Sequence, residues 1–178
     1  MVIWLVGLAG AGKSTIARAL QAVMRKEGRA SVLLDGRDLR RVVGEGLGFS
    51  SAERREVAER LCRLCEIIEE QSVEVICPVA GLFPDVLEKN RTRFVEYYEV
   101  YVRVPFEVIE QRDQDGLYSG ARAGRYKNVV GIDVPFEPPK ASDLIVDNGL
   151  PLRNPEELAG AIMVELNARD FGRGAKKQ

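Results

Sequence analysis

The chain has 178 residues, 46% of them hydrophobic, which suffices for one compact core and leaves no room for a second full domain. Lys plus Arg number 26 and Asp plus Glu 27, and the net charge of -1 offers no global attraction to nucleic acid or to an anionic membrane. No apolar run approaches a bilayer span, and the Met-Val-Ile-Trp-Leu-Val start lacks the basic flank of a signal peptide, so a cytoplasmic protein without membrane or nucleic-acid partners is expected.

Val2 to Val6 is a continuous apolar run of the kind buried on both faces of a parallel sheet. It leads into a glycine-rich loop, after which Ser14 and Thr15 open a helix. Ile16, Leu20, Val23 and Met24 share one face of that helix, and Gly28 suits its end. Ser31 to Leu34 reads as a second buried strand, ending at Asp35-Gly36, and a short helix is predicted around Asp38 to Val43. Ser50-Ser51-Ala52-Glu53 has capping-box spacing, and Val57, Leu61, Cys65 and Ile68 follow at helical spacing, which predicts a helix of about five turns. Cys62 and Cys65 lie in this stretch with no second pair and no histidine, so they read as small residues on a helix face and not as a redox or zinc motif.

Val73 to Cys77 is the third predicted strand, Asp85 to Arg93 a short helix, and Tyr97 to Val104 the fourth strand, after which Pro105 opens another helix. From about 113 to 139 the pattern dissolves into glycines, arginines and prolines, a length that marks a lid or binding loop. Asp143 to Asp147 restores a strand, and Pro155 to Ala168 forms a last helix. Residues 1–170 therefore read as a single domain and 171–178 as a disordered tail. Alternating strands and helices imply an α/β fold, a parallel sheet covered by helices on both faces.

The loop Gly7-Leu8-Ala9-Gly10-Ala11-Gly12-Lys13-Ser14 carries the chemistry. Its glycines let successive backbone N–H groups face phosphate oxygens, and the following helix adds its positive end. Lys13 can reach the β- and γ-phosphates of ATP, and the Ser14 hydroxyl is placed to ligate magnesium. The apolar strand before the loop and the periodic helix after it are the context this motif requires. A GTPase would need an Asn-Lys-x-Asp guanine signature, which is absent. A small kinase remains.

With no histidine in the chain, proton transfer falls to carboxylates or water. Asp35, at the carboxyl end of a strand, can serve an acceptor hydroxyl or hold a magnesium-bound water; a plain turn-forming Asp-Gly is the alternative. Arg37, Arg40, Arg41 and Arg54, and Arg112, Arg122, Arg125 and Lys127 around the lid, could close over an anionic acceptor, although singly each reads as a surface charge. Phe49 could stack on a base or belong to the core.

These residues resemble the adenylylsulfate kinases, which phosphorylate the 3′-hydroxyl of adenosine 5′-phosphosulfate with ATP. The resemblance spans Val2 to about Asn148. It includes Gly7 to Thr15, Leu34-Asp35-Gly36 with Arg40, Leu47-Gly48-Phe49-Ser50 with Arg54, and Ile76-Cys77-Pro78. Its strongest part is the lid, with Arg112-Asp113, Gly116-Leu117-Tyr118, Ala121-Arg122-Ala123-Gly124, Lys127-Asn128 and Gly131-Ile132-Asp133. The resemblance implies a P-loop nucleoside-kinase fold, ATP and magnesium as cofactors, and a homodimer. It further implies that Arg40, Phe49, Arg54, Ile76 and Lys127 line the acceptor site, with Arg37, Cys77, Asn128 and Ile132 beside them, and that Arg112 lies near the ATP adenine.

Departures from the family pattern collect on the acceptor side. The usual Asp-Gly-Asp-Asn has Arg37 at its second aspartate, and Asp38 stands one residue further, roughly 100° around a helix. Val57 replaces an asparagine, Cys77 a serine, Asp115 a phosphate-binding lysine and Val129 an aromatic residue that would sandwich the acceptor's adenine against Phe49. The expectation is a kinase of the ribose 3′-hydroxyl of a 5′-modified nucleotide, by default adenosine 5′-phosphosulfate. Asp35 or Asp38 would serve the hydroxyl. A cytidine diphosphate derivative as acceptor and a non-catalytic ATP-binding module are the alternatives.

Overall fold

The computed structural model describes residues 1–80 and 83–169, and the expected disordered tail lies outside them. Five parallel strands form one sheet in the order β2-β3-β1-β4-β5, with β1 Val2–Val6, β2 Ser31–Leu33, β3 Glu74–Pro78, β4 Tyr97–Arg103 and β5 Leu144–Asp147. The central strand β1 is buried along its whole length, with Ile3 paired to Ile76 and Tyr98 on either side.

Side chains alternate across a strand, so β1 splits its apolar residues between two cores. Ile3 and Leu5 face helices α1 (Lys13–Lys26) and α7 (Pro155–Ala168), where Ile16, Leu20 and Met24 meet Leu158, Ile162 and Leu166. Val2, Trp4 and Val6 face helices α3 (Ser51–Glu69) and α4 (Pro84–Arg93), which contribute Leu61, Cys62, Cys65, Val86 and Leu87. Fully burying one such aliphatic side chain contributes about 1.5–3 kcal/mol, which is why these stripes dictate the layers.

Helix starts follow local chemistry. Ser50 and Glu53 form the expected capping box, in which the Glu53 carboxylate accepts from the Ser50 backbone at 3.0 Å. Ser50→Ala would cost about 1 kcal/mol. Helix α2 spans Gly36–Val43, two residues longer at its start than predicted, because the Asp35 carboxylate caps it by accepting from the Arg37 N–H at 3.0 Å. The two cysteines of α3 are buried thiols on its inner face, as read, and burial pushes Cys62 up to about 11.

The lid differs most from expectation. After α5 (Phe106–Arg112) come a short 3-10 turn at Gln114–Gly116 and a helix, α6 (Leu117–Arg122), where only irregular chain is predicted. The Asp113 carboxylate starts α6 by accepting from the Tyr118 and Ser119 N–H groups at 2.7 and 3.2 Å. Six residues are too few to display a helical period. Asp113, Asp115 and Asn128 all have positive φ (25°, 66° and 60°), so the lid holds most of the non-glycine backbone strain among the described residues.

In a parallel sheet every carboxyl end points the same way. The loop after β1, Asp35 after β2, Val79 after β3 and Asn148 after β5 are therefore gathered on one edge, where open α/β sheets bind their ligands.

Candidate functional site

Residues 7–12 form the connection from β1 to α1, and Lys13 to Thr15 are the first residues of that helix. Gly12 takes φ +92°, a conformation that L side chains resist, and a Cβ there would lie 2.6 Å from the Asn148 amide nitrogen. Leu8 and Ala11 turn inward to the core and Thr15 is exposed. The Lys13 ammonium donates to the Leu8 carbonyl at 2.7 Å, folded over the loop it serves. Burial, and secondarily the Arg37 charge, pull its pKa from 10.5 down to about 8, with Asp35 acting in the opposite direction. Lys13, Asp35 and Arg37 thus form one electrostatic group at the junction of donor and acceptor sides.

Asp35 is only 6% exposed, caps α2 through one oxygen and meets the Arg18 guanidinium at 3.7 Å through the other. Asp38 points to solvent from the first turn of α2. Of the two candidate acids, Asp35 is the one that shares the loop's surroundings. The Ser14 hydroxyl, in the first turn of α1 beside the phosphate loop, is a hard oxygen donor of the kind that a magnesium ion shared with phosphates takes, so the residues present fit that metal.

On the acceptor side, Phe49 is 53% exposed and stands between two guanidinium groups, Arg40 at 4.2 Å and Arg54 at 5.1 Å from its ring centre. It is not core. Arg40 hydrogen bonds the Gly48 carbonyl; Arg54 donates to the Phe49 carbonyl at 2.8 Å and to the lid's Asn128 carbonyl at 2.5 Å. Burial, then the like charge of Arg40, pull the Arg54 pKa below its usual range. An anion placed between the two arginines would relieve that repulsion.

The lid returns to this edge at several points. Arg37 meets Asp115 at 3.6 Å, both exposed. Arg112 donates to the Asn148 and Gly149 carbonyls, both at 2.8 Å, at the end of β5. Asp133 accepts from the Asn128 and Val129 N–H groups and so shapes the loop that carries Lys127, whose side chain is exposed. Ile132 packs against the core.

Ile76 and Cys77 are the exceptions. Both are 0% exposed in β3, one in each core, so the structure puts their side chains inside the sheet and not on the acceptor surface. Val57 and Val129 are likewise buried. A depression of about 470 Å³ between α5 and α6 is lined by Glu107, Glu110, Asp113 and Arg122, an acidic set unsuited to a polyphosphate.

The family model for adenylylsulphate kinase matches residues 1–147. The chain belongs to the adenylylsulphate kinase family. It is 40% identical over 139 residues to an adenylyl-sulfate kinase of Gloeothece citriformis, covering 78% of this chain and 79% of that one. It is 35% identical over 176 residues to one from Geotalea uraniireducens, covering 97% and 84%. Among solved structures, the APS kinase of Mycobacterium tuberculosis in complex with AMPPNP and APS superposes with a TM-score of 0.86 at 30% identity, covering 93% of this chain and 96% of that chain.

Membership makes the protein a phosphotransferase acting on a hydroxyl group, with ATP and magnesium as the family's donor pair, and accounts for the P-loop kinase fold. No described helix is long and apolar enough to cross a membrane. Two residues of this adenylylsulphate kinase family member that sequence reasoning missed also reach the phosphate loop. Tyr118 donates its hydroxyl to the Ala9 carbonyl at 2.9 Å, and Asn148 its amide to the Ala11 carbonyl at 2.9 Å. Sequence separations of 109 and 137 residues leave no local pattern by which either bond could be read.

Proposed function

We propose that the protein transfers the γ-phosphoryl group of ATP to the ribose 3′-hydroxyl of adenosine 5′-phosphosulfate, as a homodimer. The observation that carries this reading is the cation pair Arg40 and Arg54 flanking exposed Phe49 between α2 and α3, where Arg54 also holds the lid's Asn128 carbonyl. A flat ring offers a surface for a base, and the two guanidinium groups offer charge to a phosphosulfate.

In this mechanism the loop N–H groups and Lys13 hold the ATP phosphates, and Lys13 leaves the Leu8 carbonyl to follow the transferring charge. Ser14 would hold a magnesium ion, which would supply neutralisation of phosphate charge. Asp35, buried beside Lys13, accepts the proton of the attacking hydroxyl or orients it. The lid, tied to the acceptor side through Arg54 and Asn128 and through Arg37 and Asp115, excludes water during transfer.

The test is turnover of a panel of 5′-modified nucleotides with ATP and magnesium, read as coupled ADP release, with light scattering for the dimer. Adenosine phosphosulfate as the preferred acceptor is the expected result. Preference for a cytidine derivative would replace the acceptor, and ATP binding without any turnover would replace the kinase by a non-catalytic module; the relatives lend support to neither.

A further inference from the structure

The phosphate loop works only if its N–H groups face the ligand, and its glycines make that arrangement easy to lose. Gly10 and Gly12 both sit at positive φ, +80° and +92°, where a peptide unit can rotate with little steric resistance. A rotated unit would aim a carbonyl oxygen at the phosphates in place of a donor. Because the peptide is planar and trans, fixing a carbonyl in one direction fixes the next residue's N–H in the opposite one. The bond from Tyr118 to the Ala9 carbonyl therefore governs the Gly10 N–H, and the bond from Asn148 to the Ala11 carbonyl governs the Gly12 N–H.

Both donors are built for the purpose. Tyr118 is 2% exposed, its ring is held edge-on to Phe106 at 5.5 Å, and its own backbone is pinned by Asp113. Burial, reinforced by Asp113, raises its pKa to about 12, so the hydroxyl keeps its proton. Asn148 is 4% exposed, and its Oδ1 is buried with no hydrogen-bond partner among the described residues, a destabilising arrangement for a polar atom. An apolar side chain of the same shape would avoid that cost, so the amide is kept for what its nitrogen holds. The Asn148 carbonyl is meanwhile gripped by Arg112, which links this clamp to α5.

We propose that Tyr118 and Asn148 are positioning residues that clamp the Ala9 and Ala11 carbonyls away from the ligand and so keep the loop's N–H groups aimed at the phosphates. Through Tyr118 the lid helix α6 acts on the donor site directly, not only on the acceptor. The inference rests on the phosphate-loop reading and is independent of which nucleotide accepts the phosphoryl group.

Inorganic tripolyphosphate with magnesium probes the loop alone. Tyr118→Phe and Asn148→Leu each remove one clamp bond with little change of shape. Each is expected to weaken binding of the probe, measured by calorimetry, by about three- to tenfold, the worth of one hydrogen bond. The KM for the acceptor nucleotide should stay within about twofold, the scale of a change that touches no acceptor contact. The melting temperature of Asn148→Leu should change little, because the orphan oxygen is removed while the Ala11 carbonyl loses its donor. Unchanged probe affinity in either variant overturns the proposal. So does a loss matched by a lowered melting temperature and an equal loss of acceptor affinity, which would mark both residues as merely structural. If the parent protein itself fails to bind the probe, the donor-site reading falls together with the clamp, whereas failure of adenosine phosphosulfate as a substrate touches neither.

Discussion

The donor and acceptor halves of the site are held by different forces. Around the phosphate loop the bonds are neutral or singly charged donors on backbone carbonyls, made by largely buried side chains at 2.7–2.9 Å. On the acceptor side guanidinium groups also hold backbone carbonyls, but they do so against an exposed ring and near an exposed ion pair, which water and salt can screen. The difference suits the two tasks. A polyphosphate is one invariant shape that a rigid cradle can match, while the acceptor must enter, be covered and leave. Exposed charges such as Arg37 and Asp115 can trade places at small cost, and buried backbone clamps cannot.

The comparison can be broken most severely at Lys13. Lys13→Ala should lower kcat by about a hundredfold or more, as loss of a transition-state donor does, with an unchanged circular dichroism spectrum; retained turnover would remove the donor half from the mechanism. At the junction, Asp35→Asn should cost about a hundredfold in kcat and Asp38→Asn less than about threefold, since general-base contributions start near that larger figure. Equal mild losses in steady-state rates would mean that neither carboxylate takes the proton.

Arg54→Ala sharpens the contrast between the halves. Acceptor KM should rise about tenfold, the worth of one charged hydrogen bond, with ATP KM unchanged. A rise in both would mean that the halves are not separate. ATP affinity should depend on pH through Lys13: its pKa in the free protein is lowered to about 8, so the cation that phosphates require is present below that pH and lost above it. Calorimetry at pH 7 and pH 9 should show about a tenfold weakening on raising the pH. Smallest is Arg37→Ala, which removes an exposed pair and should shift acceptor KM by no more than about threefold. A large effect would show that the lid's ion pair is a working part of the acceptor site.

Much of the fold could be read locally. The apolar run Val2 to Val6, the glycine loop, the stripe of α1 and the Ser50–Glu53 capping box each need only a few neighbouring residues to be recognised, and all stand where expected. Helix α6 escaped because its start depends on the Asp113 side chain and its six residues show no period. For the site, the glycine loop could be read from contiguous residues, whereas Ile76 and Cys77 came only from the family resemblance, and the sheet's pleat turns their side chains into its two cores.

Sequence alone determined the donor chemistry, the order of the strands and the family, because backbone conformations, caps and buried strands are written in short contiguous patterns. Only the tertiary structure decided which aspartate lies beside Lys13, that Phe49 is a platform between two arginines, and that Tyr118 and Asn148 reach the loop from far along the chain. Those contacts join residues that meet only when the parallel sheet gathers its carboxyl ends on one edge, and no local pattern encodes that meeting.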